Sequence, residues 1–149
     1  MEKIDLIYSA NTLSHIANLN SVFKSICHVL SKDGVLIIED PSLMECLKTN
    51  AYDQFYNEHI YVFSLIAINN LIRKYNLEVF NVENLKTHGG SIRYFIKRKK
   101  NNKIRINKSV EKHLKKEFKF QINKYETYIN FKKKVENSKK KLINIFCKI

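Results

Sequence analysis

Tyr56, Glu58 and His59 stand together in Phe55-Tyr56-Asn57-Glu58-His59, and His88 follows in Thr87-His88-Gly89-Gly90-Ser91-Ile92-Arg93. A phenol, a carboxylate and two imidazoles are thus grouped with a Gly-Gly pair that reads as a tight turn. These are the side chains that give and take protons near neutral pH, and few scaffolds need so many so close together. His15, in Asn11-Thr12-Leu13-Ser14-His15-Ile16, is a third imidazole just past an apolar run. A single histidine in an irregular segment is ordinarily a surface or capping residue, so the clustering carries the signal. Tyr8, His28 and His113 have no such company.

These side chains need elements to position them. Ile4–Ala10 is a short apolar run ended by Asn11 and reads as a buried parallel strand. Leu19–Leu30 follows a helical period, with Val22, Phe23, Ile26, Val29 and Leu30 on one side. Asn18 or Asn20 serves as its N-cap, and Lys32-Asp33-Gly34 is the expected stop. Val35–Asp40 reads as a second buried strand, broken by Pro41. A strand–helix–strand unit of this kind predicts a right-handed crossover and a parallel pair. A short helix and the irregular acid/base segment come next. Ser64 caps a helix expected to run through Tyr75, with Leu65, Ile68, Leu71 and Ile72 inward. Leu77–Val82 and Ser91–Lys97 read as an antiparallel pair of strands. Residues 108–147 read as one or two amphipathic helices, with Val110, Leu114, Phe118, Ile122, Tyr125 and Ile129 in a stripe continued by Val135, Leu142 and Phe146.

A chain of 149 residues with 3 glycines and 1 proline is expected to build one ordinary core rather than a loop-rich assembly. Its charge is lopsided. Residues 1–96 carry 8 Lys/Arg against 10 Asp/Glu, and residues 97–149 carry 19 against 4. The chain divides into residues 1–98, nearly neutral, and 99–149, a basic helical arm. The arm is Lys-rich, with only Arg98 and Arg105 at and beyond the boundary, and lacks the arginine-and-aromatic pattern of base readers. A solvated helix face is therefore expected, with nucleic-acid binding a minority option. Cys27, Cys46 and Cys147 have no metal-ligand spacing and read as reduced thiols. Met1-Glu2-Lys3-Ile4-Asp5 does not open a leader peptide, and no apolar run reaches the ~20 residues of a membrane helix. A cytoplasmic protein is the expectation.

Five motifs in order carry a family resemblance: Asn11-Thr12-Leu13-Ser14-His15-Ile16, Glu39-Asp40-Pro41, Tyr52-Asp53-Gln54-Phe55-Tyr56-Asn57-Glu58-His59, Phe63-Ser64, and Thr87-His88-Gly89-Gly90-Ser91-Ile92-Arg93. Together they resemble the second half of class I S-adenosylmethionine-dependent methyltransferases, specifically the C-methyltransferases of nucleotide-linked keto-deoxysugars. The resemblance implies an α/β fold: the second half of a doubly wound sheet, about four mixed strands with the last pair antiparallel, then the helical arm. It implies a reaction in which a proton beside a ketone is removed and the resulting enolate carbon takes a methyl group from S-adenosylmethionine. His59 is then the base or proton shuttle, with Tyr56, Glu58 and His15 around it, Asn11 toward the cofactor and His88 toward the substrate.

The same family opens with a metal-binding cysteine region and a strand entering a glycine-rich turn that holds the methionine part of the cofactor. No glycine precedes Gly34, so that loop is absent from this sequence. The chain is therefore expected to keep the substrate side of a site, to be inactive alone, and to need a complementing N-terminal chain. The rival expectation is a non-enzymatic assembly module that docks a partner through an exposed sheet flank and the arm.

Overall fold

In a computed structural model, which describes residues 3–147, the apolar run after the N-terminus forms strand β1 (Ile4–Ala10). Met1 and Glu2, which open the segment read for a leader peptide, and Lys148 and Ile149, which end the arm, lie outside the described residues. Helix α1 (Leu19–Val29) follows, capped by the Asn18 side chain, which accepts from the Ser21 amide at 3.0 Å. Its Phe23 is fully buried. Strand β2 (Leu30–Pro41) pairs parallel to β1, completing the strand–helix–strand unit.

One turn signal is overridden here. Lys32-Asp33-Gly34 does not end an element but lies within β2, where the register with β1 jumps from Ile4↔Leu30 to Leu6↔Val35. The extra residues form a bulge, in which a Cβ on Gly34 would come within 2.8 Å of the Leu30 side chain. Pro41 ends the strand: it is the last residue of β2 and stands opposite Ser91, where a missing amide matters least.

Ser42 caps the short helix α2 (Leu43–Thr49) and Ser64 caps α3 (Leu65–Arg73), each accepting from an amide three residues on. Strand β3 (Leu77–Leu85) turns back through Thr87–Gly89 into β4 (Ser91–Arg98). The strand order is β1-β2-β4-β3. Strand β4 therefore lies between β2 and β3, antiparallel to both. The fold is α/β, with a mixed four-stranded sheet. Leu36 and Ile38 of β2, Ile92, Tyr94 and Ile96 of β4, and Phe23, Leu65, Ile68 and Ile72 of the helices form the core. Across the sheet, Leu6 and Tyr8 on edge strand β1 are 59% and 54% exposed.

The arm consists of two helices, α4 (Lys108–Lys119) and α5 (Tyr125–Phe146), separated at Gln121, whose φ is 59°. The expected apolar stripe is only partly inward. Val110 and Ile122 are buried, whereas Phe118 and Tyr125 are exposed. The buried face of α4 instead carries His113 and Glu117. The Glu117 carboxylate accepts from the Leu65 amide at 2.7 Å and the Ile66 amide at 2.9 Å, at the N-terminus of α3. An anion there meets two otherwise unbonded amides and the positive end of the helix dipole. This contact fastens α4 to the sheet's helical layer. Among the described residues no helix is long and apolar enough to cross a membrane.

Glu117→Ala should lower unfolding free energy by about 3 kcal/mol, since it removes a buried charge-assisted acceptor from two amides. Urea unfolding checks this. A loss no larger than that of Glu111→Ala, whose carboxylate pairs with Lys115 in solvent, would show that α4 is not anchored there.

Candidate active site

Asn11 leaves β1 with φ of 50°, a left-handed conformation that asparagine tolerates better than most residues. This redirects the chain at the carboxyl end of β1 into a short 3-10 turn, Leu13–His15. Leu13 anchors the turn in the core and Ser14 is buried, which leaves His15 half-buried at the surface. The segment carrying the second histidine reaches the same place by hydrogen bonding. Tyr61 donates its amide to the Ser14 carbonyl at 3.1 Å and its hydroxyl to the Ala17 carbonyl at 3.0 Å.

The outcome is a His15–His59 ring contact, with centroids 4.8 Å apart, and a Tyr56–His59 contact at 4.2 Å. The hydrogen bonds at His59 define its tautomer. Its Nδ1 lies 2.8 Å from the Gln54 carbonyl, which can only accept, so Nδ1 carries the proton. In the neutral ring Nε2 is then the free lone pair, and the Tyr56 hydroxyl, at 3.0 Å, donates to it. Any proton reaching Nε2 from outside must pass the phenol or displace it.

Tyr56, His59 and His15 thus converge. Glu58 does not join them: it is exposed, and its carboxylate has no hydrogen bond or ion pair among the described residues. Asn11 and His88 form a second contact, Nδ2 to Nε2 at 3.5 Å. His88 has φ 52° and ψ 37°, which costs a non-glycine residue about 1–2 kcal/mol. Gly90, at φ 122°, is required by space as well, because a Cβ there would approach the Glu45 Cβ to 2.8 Å. Its carbonyl accepts from the Ser42 amide at 3.0 Å, pinning the turn against the end of β2. A depression of about 560 Å³ lies beside this turn, lined by Met44, Glu45, Asn84, Lys86 and Lys116 among others, and neither His15 nor His59 borders it.

One residue of this site has no counterpart among the candidates read from sequence. Asp40, at the end of β2, is fully buried. Its Oδ1 accepts from the Ser14 amide at 3.3 Å, and its Oδ2 has no hydrogen-bond partner among the described residues. Burial pushes its carboxyl above the usual aspartate range, while Ser14 and the charges of His15 and His59 pull it back. In the sequence Asp40 ends the expected buried strand Val35–Asp40 and sits within the Glu39-Asp40-Pro41 motif, but nothing there gives its side chain a role. By contrast, Cys46 is a poor nucleophile, its thiol pushed up to about 11 by burial. Among the described residues no group of three or more His, Cys, Asp or Glu side chains could hold a metal ion.

Residues 1–82 match the model of a methyltransferase domain, and residues 86–149 match that of a C-methyltransferase C-terminal domain. C-methyltransferase NovU of Streptomyces niveus is 34% identical over 90 residues, covering 60% of this chain and 21% of its own length. The chain therefore spans about a fifth of the length of that curated relative. Magnesium protoporphyrin IX methyltransferase from Synechocystis PCC 6803 superposes with a TM-score of 0.49 at 13% identity, over 66% of this chain and 46% of that one. A SAM-dependent methyltransferase from Thermotoga maritima gives 0.49 at 21% identity, over 62% and 56%.

Two outcomes check this geometry. Nitrogen-15 NMR of neutral His59 should show the Nδ1-protonated tautomer, and Tyr56→Phe should retain it, because Gln54 rather than Tyr56 dictates it. An Nε2-protonated ring would contradict the arrangement. The second concerns Asp40. Folding raises its carboxyl, so the folded protein holds that proton more tightly than the unfolded chain. Its contribution to stability therefore falls as pH rises from about 3.9, the unfolded value, through the raised folded value, and is level above it. Asp40→Asn should gain on the native protein over that window, read as the difference in urea midpoints. A loss over the same window would contradict the sign.

Proposed function

The chain belongs to the methyltransferase domain family, and from that premise we propose that it is the substrate-side half of a S-adenosylmethionine-dependent C-methyltransferase acting on a nucleotide-linked keto-sugar. The observation that carries the reading is the Tyr56–His59–His15 cluster at the carboxyl ends of parallel strands, where open α/β sheets bind ligands. Support for the sugar comes from the motif resemblance, and the similarity to a C-methyltransferase over 90 residues supports transfer to carbon.

The work of this chain is proton transfer. A proton leaves the carbon beside the ketone for the Tyr56 oxygen as the phenolic proton moves to His59 Nε2. The Gln54 carbonyl holds the ring by its other nitrogen and favours the imidazolium that forms. To His15, against the His59 ring, we assign donation to the enolate oxygen. Glu58, exposed, can reach the sugar only from the rim. Asn11 is assigned to the cofactor side and His88 to the substrate side, joined by their side-chain contact.

S-adenosylmethionine, when bound, supplies the methyl group. The residues here do not form its cradle. Gly34 lies in the β2 bulge and Gly89 and Gly90 in the turn before β4, so no glycine follows a parallel strand into a helix N-terminus. We assign that role to a complementing N-terminal chain or segment, with residues 1–98 as the substrate half and 99–149 as the basic arm. The exposed Leu6 and Tyr8 on edge strand β1 favour a second reading, a non-enzymatic assembly module. Binding of S-adenosylmethionine by the complemented protein, and not by an assembly module, separates the two.

With the cofactor half supplied in trans or by fusion, His59→Gln should lower kcat ~10²–10⁴-fold and leave KM for the sugar nucleotide nearly unchanged. Glutamine keeps the size and hydrogen bonding but cannot accept the proton. An unchanged kcat would place the base elsewhere, with His15 or Tyr56 next.

A further inference from the structure

Asp40 is an uncomfortable residue for a protein core. Its side chain is fully buried, one oxygen accepts a 3.3 Å bond from the Ser14 amide, and the other has no partner among the described residues. A half-satisfied buried carboxylate costs stability, and an apolar residue there would remove the cost. Its location suggests what it does. Ser14, bonded to Asp40 through its amide, also accepts the Tyr61 amide through its carbonyl. Ser14 precedes His15, and Tyr61 closely follows His59. One short chain of hydrogen bonds therefore runs from the end of β2 through Ser14 to both histidine-bearing segments.

We propose that Asp40 is a positioning residue for the histidine pair: its carboxylate fastens the His15 turn to β2 and ties in the Tyr56–His59 segment through Ser14. This rests on the reading of His59 as the proton acceptor. A ring pair held in place before the proton moves needs no further ordering at the moment of transfer.

Two variants of the full chain test this by NMR, without any need for catalysis. Asp40→Ala removes the acceptor. It should abolish the His15–His59 ring cross-peaks and expose the Ser14 amide to exchange. Asp40→Asn keeps an acceptor, so it should restore both. Ring cross-peaks that persist in Asp40→Ala overturn the anchoring role. Loss of the cross-peaks in a folded Asp40→Asn also overturns it, and decides alone if Asp40→Ala fails to fold. In the complemented enzyme, kcat lost in Asp40→Ala and retained in Asp40→Asn supports the proposal. Unchanged NMR behaviour beside a lost His59→Gln activity would sink the Asp40 assignment while leaving the proposed reaction intact.

Discussion

The insertion of β4 between β2 and β3 is the constraint on which the rest depends. Strands β2 and β3 run the same way but do not touch, because β4 occupies the slot between them and bonds to each. An antiparallel strand entering that slot must begin beside the end of β2, so Ser91 stands opposite Pro41. The Thr87–Gly90 turn is thereby delivered to the carboxyl end of the parallel pair. There His88 meets Asn11, and Gly90 meets α2 too closely for any other residue. The same insertion puts Ile92, Tyr94 and Ile96 at the centre of the core.

That core is not purely apolar. Asp40, Tyr94, His113 and Glu117 all lie within it, and polar atoms of Asp40, Tyr94 and His113 have no hydrogen-bond partner among the described residues. Glu117 differs in being satisfied by two amides at the start of α3. The contrast is physical: a buried carboxylate with two donors and a helix dipole is a structural fastener, whereas one with a single long bond is a cost borne for another reason. Asn11 and His88, both left-handed, are in contact with each other.

The arm contributes more than charge. Phe131 of α5 packs on Phe55 at 5.6 Å, next to the motif that holds Tyr56 and His59. Ile122, between the two arm helices, is buried against Met44 and Leu47 of α2. The arm thus braces the irregular segment that the sheet alone does not reach. Further out, residues 141–147 are exposed, with Ile145 and Phe146 in solvent.

Much was legible in the sequence because it depends on neighbours along the chain. An apolar run located β1, though its side chains prove largely exposed rather than buried, and alternation and helical period located α1, α3 and the antiparallel pair, since burying one face demands that spacing. The caps Asn18 and Ser64 were readable because a short side chain bonds its own helix. Clustered motifs named Tyr56, His59 and His15, and the structure brings these three together. What tertiary structure decided depends on partners far apart in the chain. The bulge at Lys32-Asp33-Gly34 came from pairing with β1, which outweighs local turn preference. The inward stripe read from sequence ran through Val110, Leu114 and Phe118; that Glu117 is buried instead depends on two amides of α3, 51 and 52 residues away. Asp40 and Ser14, 26 residues apart, became a site only when the β1 end and the β2 end met. Residue types carry the chemistry, but which of them lose water and face one another is decided only by folding.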